Sequence, residues 1–167
     1  LLMVVWANTH GAFISGIVLV GLHLAGALWA WRGGDRAAAR LARDLAITLG
    51  LCLAASLANP IGPGLLAGSY GYLGESYLVD RTVEYLAPDF HTIATWPFAG
   101  LLLLAIFAAR FARPERNPAA SLVVLAWTEF GLYSTRNIPF IALLAVPVLS
   151  EWADGGLARA AEAGTGW

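Results

Sequence analysis

The feature that most constrains this chain is the alternation of long apolar stretches with short polar joints. Five stretches are present, at about 11–31, 41–58, 92–112, 117–134 and 138–152. They approach the ~20 residues that an α-helix needs to cross the hydrocarbon core of a bilayer. Hydrophobic residues make up 59% of the chain and charged residues 13%, whereas soluble domains carry about 25% charged residues. The sequence therefore predicts an all-α, polytopic transmembrane helix bundle of about five spans.

Residues 59–91 differ from the spans, because aromatic and aliphatic residues mix there with charged ones. This segment contains four acidic residues and one arginine. Such a pattern is typical of interfacial amphipathic helices that are too polar to span. We expect a transmembrane bundle over 1–152, with 59–91 as an extracytoplasmic loop, and a frayed or truncated cytoplasmic tail over 153–167. Because the first six residues resemble the end of an upstream apolar helix, we also expect a fragment of a longer protein.

The arginines indicate an orientation. Seven of the ten lie in the joints 32–43 and 110–116, and arginine-rich loops stay on the cytoplasmic side. Because successive spans cross the membrane in opposite directions, 7–10, 59–91 and 134–137 are then expected outside the cell, in a multi-pass protein of the inner (plasma) membrane. Membrane lipids and the remaining helices of the full-length chain are the expected partners. The net charge of −1 gives no indication of nucleic-acid binding.

Polar residues gather in the joints assigned to the outer face, and these form the candidate substrate-binding site. They are Asn8, His10, Asn59, Glu84, Asp89, His91, Glu129, Arg136 and Asn137. Several of them have a structural alternative. Asn8 could cap the second helix, His10 could be a satisfied interfacial imidazole, and Asn59 could simply end a helix before Pro60.

Glu129 and Arg136 are the most informative of these residues. A carboxylate within an apolar span costs about 2.5–3.5 kcal/mol on insertion, so Glu129 should face the bundle interior or a wet cavity. The spacing of Glu129, Tyr133 and Arg136 places all three on one face of a continuous helix. Arg136 could pair with Glu129 or Glu84, or its planar guanidinium could bind a phosphate or carboxylate.

The histidines indicate no metal site. His10, His23 and His91 lie far apart and form no tight ligand spacing, so no metal or other cofactor is indicated. In the middle of its span, His23 is predicted to hydrogen-bond between helices.

Four motifs resemble those of a group of bacterial polytopic proteins similar to the GT-C membrane glycosyltransferases. Residues 6–11 (WANTHG) resemble W-x-N-x-H-G, 59–62 (NPIG) resemble N-P-[YF]-G, 84–90 (EYLAPDF) resemble E-W-x-S-P-D-F, and 134–140 (STRNIPF) contain R-[NH]-I-P-[LF]. The chain departs from these patterns at Ile61, Tyr85 and Ala87. The motifs occur in the same order and cover nearly all of the chain.

The resemblance implies transfer of a sugar from a polyprenyl-phosphate donor on the outer membrane face. Arg136 would hold the lipid phosphate, while Glu84, Asp89, His10 and Asn8 would line the sugar or acceptor site. GT-C enzymes carry their catalytic acid in a first outer loop, which would lie upstream, so no catalytic residue is assigned. The alternatives are a transporter segment gated by Glu129 and Arg136, and a structural membrane protein without catalysis.

Overall fold

The computed structural model describes residues 1–74, 76–111 and 117–164, and throughout these ranges the regular structure is helical, without strands. This confirms the all-α prediction. The chain divides into two compact units, Leu1–Thr82 and Val83–Trp167. Most of the arginine-rich joint at 110–116 lies outside the described residues, as do Glu75 and 165–167.

The first unit is built on a hairpin of two long helices. Its helices are α1 (Leu2–Thr9), α2 (Phe13–Arg32), α3 (Arg36–Ser56), α4 (Gly64–Gly74) and α5 (Ser76–Val79). The α2–α3 turn uses Gly34 at a φ of +99°, a conformation that favours glycine. Asp35 then caps α3, because its Oδ1 accepts hydrogen bonds from the amides of Ala37 (2.8 Å) and Ala38 (3.3 Å).

Small buried residues line the helix contacts of the first unit. Gly26 and Ala27 on α2, and Ala38 and Ala42 on α3, are buried, and small side chains let two helix backbones approach closely. The helices α4 and α5 lie within the segment predicted to be amphipathic and helical.

The second unit contains three longer helices, α6 (Trp96–Ala109), α7 (Pro118–Tyr133) and α8 (Ile138–Gly164), with short 3₁₀ turns at Val83–Tyr85, Ile93–Thr95 and Thr135–Asn137. Asn117 caps α7 by accepting from the Ala120 amide at 3.1 Å. The core of this unit includes Phe98, Trp127 and Ile141, all at most 2% exposed.

Among the described residues, two helices are long and apolar enough to cross a membrane, Phe13–Arg32 and Thr135–Glu162, while Ile93–Ala109 is apolar but shorter. The remaining predicted spans do not reach this length and composition among the described residues. The first turns of α3 carry Arg36, Arg40, Arg43 and Asp44, and α7 has 16 residues. By length and composition, the structure thus supports two of the five predicted spans.

Residues 153–167 were predicted to be a frayed or truncated cytoplasmic end. They are not frayed up to residue 164, because α8 continues to Gly164, and the other parts of this prediction stay predictions. This extension is packed: Gly156 lies against the ring of Phe111, and Arg159 Nη2 donates to the Phe111 carbonyl at 3.2 Å. Alanines in this stretch favour helix, and the contact with Phe111 holds the extension in place.

Candidate functional site

The junction between α7 and α8 is a short turn, not a continuous helix. α7 ends at Tyr133, Ser134 is extended (φ −150°, ψ 129°), and Thr135–Asn137 forms one 3₁₀ turn. The Phe130 carbonyl accepts from both the Ser134 amide and Asn137 Nδ2, each at 3.0 Å. These bonds satisfy a carbonyl that the end of α7 would otherwise leave unpaired.

This turn corrects the prediction that Glu129, Tyr133 and Arg136 share one helix face, because the helix ends before Arg136. Glu129 is exposed, so it does not face the interior of this part of the bundle, and the alternative that it faces a wet cavity stays a prediction.

The segment that contains Glu84 is tied to the α7–α8 turn by hydrogen bonds to its backbone carbonyls. Ser134 Oγ donates to the Glu84 carbonyl at 2.7 Å, and Thr135 Oγ1 donates to the same carbonyl at 3.0 Å. The Thr135 amide donates to the Leu86 carbonyl at 3.0 Å. Two hydroxyls on one acceptor fix the register between segments that are about fifty residues apart in the chain.

Arg136 extends from this turn toward the side chains of Glu84 and Tyr85. Its Cζ lies 5.0 Å from the centroid of the Tyr85 ring, and its Nη1 donates to the Tyr85 hydroxyl. Nη1 also lies 3.9 Å from Glu84 Oε1. The side chains of Arg136 and Glu84 are 33% and 59% exposed, so this long ion pair contributes only about 0–1 kcal/mol. The ring and the hydroxyl of Tyr85 are therefore the main constraints on the guanidinium.

One edge of the Arg136 guanidinium remains available for binding. Its three contacts with Tyr85 and Glu84 use Nη1 or the face of the cation, and no described residue accepts a hydrogen bond from Nε or Nη2. Nε–H and Nη2–H are parallel donors, the arrangement that matches two oxygens of a phosphate or carboxylate. The site can therefore bind an oxyanion without losing its contact with Tyr85.

Asp89 and His91 form the turn that leads into α6. Asp89 Oδ1 accepts from the His91 amide at 2.9 Å, and the Asp89 carbonyl accepts from the hydroxyls of Thr92 (2.9 Å) and Thr95 (2.7 Å). Phe90 stacks on Phe98 with ring centroids 5.9 Å apart. This turn has a structural role whether or not its carboxylate also contacts a ligand.

In the first unit, Asn8 joins two helix ends. Its Nδ2 donates to the carbonyls of Val4 and Ala58, both at 2.8 Å. The capping alternative for Asn8 is wrong, because α2 begins after Ala12. His10 instead supports this turn, since its Nδ1 accepts from the Ala12 amide at 3.0 Å.

Asn59 organises the turn that follows α3. Its Nδ2 donates to the carbonyls of Ser56 (2.7 Å) and Gly62 (3.1 Å), and its Oδ1 accepts from the Ile61 amide at 2.8 Å. These hydrogen bonds support the structural alternative for Asn59, in which it ends α3 and closes the following turn. His23 is exposed and its Nδ1 bonds to the Leu19 carbonyl of its own helix at 3.0 Å, so the predicted bond between helices is wrong.

The predicted residues thus form separate groups: Asn8 with the end of α3 in one unit, and Glu84, Arg136 and Asn137 in the other. A common face for both groups stays a prediction of the sequence. Among the described residues, no group of three or more His, Cys, Asp and Glu side chains could hold a metal.

Three residues that build this site, Tyr85, Ser134 and Thr135, were not among the predicted site residues. A signal for them was present, since Tyr85 follows Glu84 directly, and a Ser-Thr pair between two apolar runs is typical of hydroxyls that bind backbone groups.

Comparison of the chain with family models, with curated proteins and with solved structures found no match. The resemblance of its four motifs to the GT-C-like group therefore stays a prediction.

Proposed function

We propose that this chain is part of a membrane glycosyltransferase similar to the GT-C enzymes, and that Arg136 binds the phosphate of a polyprenyl-phosphate sugar donor. The observation that carries the proposal is that only one side of the Arg136 guanidinium is engaged by other residues. Tyr85 and Glu84 hold it on the Nη1 side, while its Nε–Nη2 edge has no acceptor among the described residues.

Chemically, this edge suits a phosphate diester or monoester. Two charge-assisted hydrogen bonds would form to two phosphate oxygens, each worth about 1.5–3 kcal/mol. Because Tyr85 already orients the cation, less side-chain entropy is lost when the ligand binds. The nearby Glu84 carboxylate is exposed and could accept from a sugar hydroxyl beside the phosphate.

The exposure of the apolar helices supports a membrane location. Only 17% of the apolar window of α2 and 28% of that of Thr135–Glu162 is buried within the protein. Apolar helices in the core of a water-soluble domain would be mostly buried. An exposed apolar surface of this extent is expected where lipid or further membrane helices surround it.

The five-span arrangement in the inner membrane is part of the same proposal. At 1.5 Å per residue, α2 is about 30 Å long, which matches the hydrocarbon core. The 16 residues of α7 give only about 24 Å. α7 would therefore require a locally thinned bilayer or shielding by neighbouring helices.

A structural role is the second candidate, and the bonds from Ser134 and Thr135 to the Glu84 carbonyl favour it. In that case Arg136 only adds to the attachment of the segment 83–86 and binds no ligand. A transporter is less well supported, since the mid-helix His23 bonds within its own helix.

Binding of a polyprenyl monophosphate separates these possibilities. The chain would be reconstituted in neutral-lipid nanodiscs and titrated with polyprenyl monophosphate, with the uncharged polyprenol as the control ligand. Arg136→Lys keeps the charge and loses the planar fork, so we expect about tenfold weaker binding of the phosphate, equivalent to one lost charged hydrogen bond. Unchanged phosphate affinity in a folded Arg136→Lys variant would remove Arg136 from the site.

A further inference from the structure

The end of the α2–α3 hairpin carries a row of exposed arginines that the proposed sugar-transfer site does not use. This region contains four arginines and two aspartates. Arg32 ends α2, and Arg36, Arg40 and Arg43 follow on α3. All four arginines are exposed. This is the most strongly basic surface of the first unit.

The two aspartates of this region are already engaged. Asp35 accepts from backbone amides at the start of α3, and Asp44 pairs with Arg43 at 2.9 Å. No described residue pairs with Arg32, Arg36 or Arg40. These three cations therefore lack a carboxylate partner among the residues that the structure describes.

Helix geometry sets the direction of the row. Positions 36, 40 and 43 have the i, i+4, i+7 spacing that places them on one face of α3. Ala38 and Ala42, which are 6% and 4% exposed, lie on the opposite face. The arginines thus point away from the interior of the hairpin, toward whatever surrounds it.

The neighbouring residues indicate a lipid surface. Trp29 and Trp31 are 63% and 51% exposed next to the arginines, and Ile47 and Leu51 are 56% and 65% exposed further along α3. Exposed tryptophans beside a long apolar surface are typical of the interface between headgroups and acyl chains. From Arg36 to Arg43 the row extends about 10 Å along the axis of α3. This length is close to the thickness of the headgroup layer that extended arginine side chains can reach.

We propose that this surface binds the headgroups of anionic phospholipids and that Arg36 and Arg40 provide most of the preference. The proposal rests on the membrane location in the proposed function, but it requires neither Arg136 nor sugar transfer. Basic residues near an anionic membrane surface each strengthen attachment roughly fivefold.

Native mass spectrometry of the whole chain in detergent micelles with equal amounts of phosphatidylglycerol and phosphatidylcholine tests this inference. We expect preferential retention of phosphatidylglycerol, and a roughly 25-fold lower preference in the double variant Arg36→Gln with Arg40→Gln. The corresponding lysine pair should retain most of the preference, because it keeps both charges. Arg81→Gln, which removes a cation elsewhere in the same unit, should change it little.

Equal retention of the two lipids by the native chain would overturn the proposal, and so would equal effects of Arg81→Gln and the glutamine pair. Circular dichroism of each variant separates lost binding from lost helix. Loss of polyprenyl-phosphate binding by Arg136→Lys would leave this result unchanged, so the two proposals can fail independently.

Discussion

The contact between the Phe111 ring and Gly156 predicts different effects for two adjacent glycine-to-alanine substitutions. A methyl group on Gly156 would lie 2.6 Å from Phe111 Cγ and 2.7 Å from Cδ1, whereas one on Gly155 would lie 3.5 Å from Arg159 Nη1. The first distances require the ring or the helix to shift. The second is an ordinary van der Waals contact.

The expected magnitudes follow from two terms. Both substitutions gain about 1 kcal/mol of helix propensity within α8, and only Gly156→Ala pays an overpacking cost of about 1–3 kcal/mol. Gly155→Ala should therefore stabilise the protein by up to about 1 kcal/mol. Gly156→Ala should be less stable than Gly155→Ala by about 1–3 kcal/mol, since the propensity gain is common to both.

Unfolding by sodium dodecyl sulfate in mixed micelles, followed by circular dichroism, measures this difference. Each glycine variant serves as the control for the other, because they lie in the same helix and differ only in what the added methyl group meets. Equal unfolding midpoints would refute the packing of the α8 extension against Phe111.

Two further predictions concern the turns that support the polar groups. Ser134→Ala and Thr135→Val should each destabilise the protein by about 0.5–1.5 kcal/mol. The double variant should lose more stability than the two single variants together, because each single variant still has one hydroxyl that donates to the Glu84 carbonyl. If the two losses of stability simply add in a double-mutant cycle, the idea that both hydroxyls stabilise the same carbonyl would be contradicted. Asn59→Ala should cost about 1–3 kcal/mol, since it removes three hydrogen bonds that close the turn after α3. Thermal unfolding by circular dichroism measures that loss, and a midpoint equal to that of the native chain would count against it.

Apolar runs allowed the positions of several helices to be predicted, whereas the caps Asp35 and Asn117 were found only in the structure. The stretch predicted at 11–31 corresponds to the helix Phe13–Arg32, and the stretch predicted at 117–134 corresponds to the helix Pro118–Tyr133, which Asn117 caps. These boundaries depend on local chemistry, which the sequence displays directly. Bundle packing depends on contacts between distant residues and could not be predicted in the same way.

The error about Glu129, Tyr133 and Arg136 has a clear physical cause: residue spacing predicts a common face only while the helix continues. Glu129 and Arg136 are separated by Ser134 and Thr135, whose hydroxyls bind the distant Glu84 carbonyl and help to stabilise a turn. Glu84 was predicted as one possible partner of Arg136, and their proximity supports that alternative over Glu129. Tyr85 directly follows Glu84, but adjacency in the chain does not show which of the two side chains makes the closer contact with Arg136, so that contact needed the structure.

The most direct test of the central claim is photo-crosslinking with a polyprenyl monophosphate that carries a diazirine next to the phosphate. If Arg136 binds the phosphate, labelled peptides should include residues 83–86 or 134–138, and labelling there should fall in Arg136→Lys while that variant keeps its helix content. Labelling confined to other parts of the chain, or unchanged by this substitution, would contradict the account.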